Sequence, residues 1–102
     1  MNTQPAAPDP VDVALRVLLE QPTYAAQTAL AAAELLDADA TAPMTYLHCE
    51  HVIDTAAQTV LGHLPDVVSR ESLDRLYAAL PSIDGVTRGE YALRFRAAAR
   101  GL

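Results

Sequence analysis

Four internal prolines, Pro22, Pro43, Pro65 and Pro81, divide this chain at nearly regular intervals and constrain its fold more than any other feature. A proline has no N–H to give to a helix, and its ring clashes with the carbonyl one turn earlier. Each proline therefore marks a helix boundary. Between them, apolar residues recur at spacings of three and four, the period of one helix face. No alternating run of β-branched residues exceeds four, so no strand is expected. The predicted fold is all-α, a compact bundle of four or five helices joined by short loops.

Local signals place the individual helices. Asp9 can cap a first helix that has Pro10 at its first position, Asp12 in its first turn and an end near Gln21. Val11, Val13, Ala14, Leu15, Val17, Leu18 and Leu19 cover roughly two thirds of its circumference, leaving Asp12, Arg16 and Glu20 as a wet strip. An arc that wide must be covered on two sides, either at the centre of the bundle or at a subunit contact. Thr23 can cap a second helix reaching Asp37, which is rich in alanine. A third helix is expected from Thr41 or Ala42, with Pro43 just inside it, to about Leu64. Tyr46, Cys49, Ile53, Ala56, Ala57, Val60 and Leu64 share one of its faces. Ser69 can cap a fourth helix over residues 70–80, striped by Leu73, Leu76, Tyr77 and Leu80. Asp84-Gly85 is turn chemistry. Thr87 and Glu90 form a capping box for a fifth helix reaching Arg100, with Tyr91, Phe95, Ala98 and Leu102 inward and Gly101 as its stop. Residues 1–8 are expected to be a flexible tail and residues 9–102 a single domain.

Composition narrows the function classes. The chain has 102 residues, 51% of them hydrophobic, and a net charge of -6. That length sustains one core without metal or disulfide staples. Such acidity argues against general nucleic-acid binding, which needs lysine and arginine to neutralise phosphates. Cys49 is the only cysteine, which excludes a framework of intramolecular disulfides. No secretory signal and no apolar run of membrane-spanning length is visible. A cytoplasmic location is the expectation.

The densest chemistry lies in Tyr46-Leu47-His48-Cys49-Glu50-His51-Val52-Ile53-Asp54. His48 and His51 are three residues apart, about 60° on the helical wheel, and Asp54 continues the same arc. His48, Glu50, His51 and Asp54 are the candidate catalytic residues, since histidine and carboxylate can act as acid and base near neutral pH. The same arc could offer ligands to a divalent ion. The spacing is neither that of a His-Glu-x-x-His zinc site nor the Glu-x-x-His pair of a di-iron bundle. A solvated helix face is the simpler account, and no metal is expected. Cys49 falls on the apolar face and reads as a buried structural thiol. Tyr24, Tyr46, Tyr77 and Tyr91 could line a small-molecule pocket if they converge. No phosphate loop, glycine-rich turn or nucleophile elbow is present, so no cofactor is expected.

Four of the seven arginines, Arg88, Arg94, Arg96 and Arg100, stand in the last helical segment. Arg94, Arg96 and Arg100 are candidate contacts for an anion or a partner, although the acidic helices of the same fold could equally receive them. If the last two helices formed a helix-turn-helix, those arginines would face DNA. The stretch Ala56-Ala57-Gln58-Thr59-Val60-Leu61, with Val68-Ser69-Arg70-Glu71, resembles a helix-turn-helix piece of nitrile hydratase beta and accessory subunits. Generic helix caps account for that likeness, and it implies no function. The leading expectation is a small interaction or accessory protein, a homodimer or bound to a partner protein. Its warrant is the wide apolar arc of the first helix. The alternative is a small-molecule-binding protein or enzyme using His48, Glu50, His51 and Asp54.

Overall fold

A computed structural model describes residues 9–102, apart from the side chains of residues 17–20. The expected tail over residues 1–8, and the places of Val17, Leu18, Leu19 and Glu20 on the first helix's wheel, lie outside the described residues. Five helices follow one another: α1 (Pro10–Glu20), α2 (Tyr24–Asp37), α3 (Tyr46–Leu61), α4 (Asp66–Ala78) and α5 (Arg88–Ala99). The architecture is an all-α bundle.

The centre of the bundle is α2, which packs against α3, α4 and α5. Alanine makes this possible. Ala25, Ala26, Ala29, Ala32 and Ala33 are all buried, and with Leu36 they give α2 small surfaces that three neighbours can approach closely. Bulk comes from the partners. Ile53 of α3, Leu76 of α4, and Tyr91 and Phe95 of α5 are fully buried against this alanine surface. The Tyr91 and Phe95 rings meet edge to face at 4.9 Å, an arrangement that aromatic quadrupoles favour.

Of the two places open to the first helix, the bundle centre or a subunit contact, the centre belongs to α2. No described residue of α1 packs against another helix. Its start is as expected: the Val11 N–H donates to Asp9 Oδ1 at 3.0 Å and the Val13 N–H to the Asp9 carbonyl at 3.0 Å. Proline explains why α1 ends here. Pro22 holds Gln21 away from helical geometry. Gln21 is a bend and Thr23 is extended, with φ -62° and ψ 163°, so the helix is broken between Glu20 and Tyr24.

Two other helix starts differ from expectation. α3 opens at Tyr46 with Thr45 as its cap, accepting from the His48 N–H at 3.1 Å, and not at Thr41 or Ala42 with Pro43. Tertiary pairing decides this. Pro43 forms an isolated antiparallel bridge with Thr87, and the Met44 N–H donates to the Val86 carbonyl at 2.9 Å. The far end of α3 is Leu61 rather than Leu64, and Gly62 follows it as the C-cap. α4 opens at Asp66, four residues before the expected start. The Pro65 carbonyl receives the Val68 and Ser69 N–H groups at 3.0 and 3.1 Å. Ser69 is thus inside the helix, and its hydroxyl donates to the Leu61 carbonyl at 3.2 Å, tying α4 to the end of α3.

The segment before α3 also clasps α5. Arg88 N–H donates to the Ala42 carbonyl at 2.8 Å and Gly89 N–H to the Ala40 carbonyl at 2.9 Å. Those are first-turn donors, which have no partner within their own helix. Thr87 and Glu90 complete the capping box as expected. Asp84-Gly85 turns the chain, with Gly85 at φ 69°, where a side chain would be strained.

Candidate functional site

Three places could carry function: the histidine arc of α3, the arginines of α5, and α1 with the groove at its root.

The histidine arc lies on the surface of α3. Glu50, His51 and Asp54 are exposed and His48 is half-buried. The His48 and His51 rings are 5.9 Å apart, tilted and without a hydrogen bond between them. Partial burial lowers the His48 pKa first, and the Arg88 and His51 charges lower it further against an opposing pull from Asp39. Among the described residues, no three His, Cys, Asp or Glu side chains converge as metal ligands. None of the four candidates lines a described cavity. Cys49 is buried, and that burial raises its pKa. Its thiol faces the Tyr91 hydroxyl at 3.9 Å, and the Tyr91 hydroxyl donates to the Pro81 carbonyl at 2.9 Å. Tyr91 is fully buried, while Tyr24, Tyr46 and Tyr77 are exposed, and the four do not line one described cavity.

The arginines of α5 face mainly their own fold. Arg88 pairs with Asp39 at 3.2 Å, and Arg96 pairs with Asp37. Arg94 donates to the Ser82 carbonyl at 2.8 Å. Arg96 holds the Asp37 carboxyl below its ordinary pKa, chiefly by hydrogen bonding. Arg100 is exposed and has no acidic partner among the described residues. Helices α4 and α5 do not pack on each other, so the paired geometry of a helix-turn-helix is not formed by them.

The third place is built at the join of α1 and α2. Val11, Val13 and Leu15 of α1 are 62%, 45% and 52% exposed. Beside the root of this helix lies an open, mostly apolar cavity of about 490 Å³ between α2 and the end of α5. Ala26 and Leu30 form one wall, and Ala99, Arg96, Arg100 and Leu102 form the other. Thr23 locks the corner: its hydroxyl accepts from the Ala26 N–H at 3.1 Å and donates to the Leu102 carbonyl at 2.8 Å. The α1 arc was legible from spacing. The groove was not, because its two walls are distant in sequence. No sequence signal singles it out: Leu30 is one of three large apolar residues exposed on α2, with Tyr24 and Leu35.

Compared with known protein families, curated proteins and solved structures, the chain matches none. No helix among the described residues is long and apolar enough to cross a membrane.

Proposed function

We propose that this chain is a small helical interaction protein that works by self-association, with α1 as its docking element. One observation carries the reading: α1 presents Val11, Val13 and Leu15 to solvent and has no packing partner among the described residues of its own chain. A helix of 11 residues is short of the roughly 12–15 at which isolated helices become even marginal in water. Its valines lower its intrinsic preference further. Tertiary packing is what normally holds such a helix together, so α1 needs a surface to rest on. A second copy of the chain supplies one without any other component.

Sedimentation equilibrium across the micromolar range tests this. The wild-type chain should be dimeric, and the Val13→Asp/Leu15→Asp double variant should be monomeric with the α2–α5 bundle still folded. A wild-type chain that stays monomeric throughout would remove the reading.

A further inference from the structure

The groove beside α1 offers an apolar surface flanked by arginines. α1 is about 16 Å long at 1.5 Å per residue, and Val11 and Leu15, four residues apart, share one exposed face, with Val13 on the opposite side. Its described charged residues are Asp12 and Arg16, with Asp9 just before it, and all three are exposed. The groove has an apolar floor at Ala26 and Leu30, with Arg96 and Arg100 along its α5 side and no acidic residue in its lining. The face of Val11 and Leu15 matches the groove in polarity, and Asp12, at the edge of that face, is opposite in charge to Arg96 and Arg100.

They cannot meet readily within one chain. Gln21, Pro22 and Thr23 both form the end of the groove and connect α1 to α2. Pro22 stiffens that link, and the two hydrogen bonds of Thr23 fix its far end. The three-residue link leaves little chain in which α1 could turn back onto a groove that begins at the link itself. A short, stiff hinge that prevents self-closure is the setting in which an element is exchanged between identical protomers.

We infer that α1 of one copy lies in the α2–α5 groove of a second copy, and that the second copy returns the same contact. This exchange rests on the self-association proposed above and specifies its contact surface. It gives a closed two-fold dimer in which each groove is filled and each α1 is covered. Leu15 of one protomer would then lie against the wall that holds Leu30 in its partner.

Two experiments on the full chain decide it. The first introduces Leu30→Glu, a change at a surface residue that the bundle should tolerate. Sedimentation should show the dimer weakened at least about tenfold, with helical content retained. The second mixes a Leu15→Cys chain with a Leu30→Cys chain and treats them with a short bismaleimide, using Val67→Cys on α4 in place of Leu30→Cys as the control. Preferential crosslinking of the Leu15→Cys and Leu30→Cys chains is expected. If the dimer survives Leu30→Glu unchanged, or if Leu15→Cys crosslinks best to itself, the helices meet each other and the exchange is wrong while self-association stands. If the wild-type chain shows no dimer, both proposals fail.

Discussion

Gly89→Ala is the sharpest test of how the bundle is held closed. Gly89 lies in the first turn of α5, where its N–H donates to the Ala40 carbonyl at 2.9 Å. A Cβ placed there would stand 2.8 Å from the Ala40 Cβ and 3.1 Å from the Ala40 oxygen. Neither contact can be relieved by turning a flexible side chain, since the obstacles are a β-carbon and backbone. The connector must move, with loss of the Gly89 hydrogen bond and strain on the neighbouring Arg88-to-Ala42 bond. Overpacking of this kind costs about 1–3 kcal/mol, and the lost hydrogen bond adds about 1 kcal/mol. Against this, alanine is favoured over glycine within a helix by about 0.5–1 kcal/mol. The net expectation is a loss of about 1–3 kcal/mol. At about 4–8 °C per kcal/mol for a domain of this size, the melting temperature should fall by roughly 5 to 20 °C. Adding Ala40→Gly removes the nearer of the two obstacles, so the double variant should recover part of the loss. Urea and thermal unfolding of the four chains of this cycle provide the measurement. A neutral or stabilised Gly89→Ala chain would refute the close approach of α5 to the connector.

Phe95→Ala removes a fully buried ring beside Tyr91 and should cost about 3–5 kcal/mol in chemical denaturation, a large share of the stability of a small domain. Thr87→Ala breaks the capping box of α5 and should cost about 0.5–2 kcal/mol, with amide exchange rising first at residues 88–90. His48 gives a pH dependence. Partial burial, with Arg88 and His51 nearby, holds its folded pKa below the ordinary 6.5. The unfolded chain therefore takes up the proton first as pH falls. Stability from His48 is complete above pH 6.5, declines below it, and levels off under the folded pKa. Unfolding midpoints between pH 7.5 and 5 should show this decline, and His48→Gln should remove it.

How much of this was legible in the sequence depends on which forces decide each feature. The caps at Asp9, Thr23 and Thr87 act within three or four residues, and each was readable from local spacing. The buried faces of α3 and α5 were readable in part: Cys49, Ile53, Tyr91 and Phe95 are inside, whereas Tyr46 is 78% exposed. Tyr46 is the first residue of α3 and overhangs the bundle, a position that periodicity alone does not reveal. The start of α3 was misplaced because Pro43 is a good first helical residue in isolation, yet here it pairs with Thr87 across the fold. The centre of the bundle, one of two places open to the first helix, belongs to α2 for a related reason. Bulk apolar residues mark a helix as hydrophobic, but close packing on three sides favours the small ones of α2. The candidate residues His48, Glu50, His51 and Asp54 stand on α3, where Arg88 and Asp39 lie near enough to act on His48 and the Tyr77 hydroxyl of α4 near enough to feel Asp54 and Glu50.

The central claim is that α1 is ordered by a second copy. Amide hydrogen exchange of the wild-type chain at several protein concentrations tests it most directly. Protection of residues 11–20 should rise with concentration, while the core amides of α2 stay protected throughout. Protection over residues 11–20 that does not change with dilution would contradict the claim.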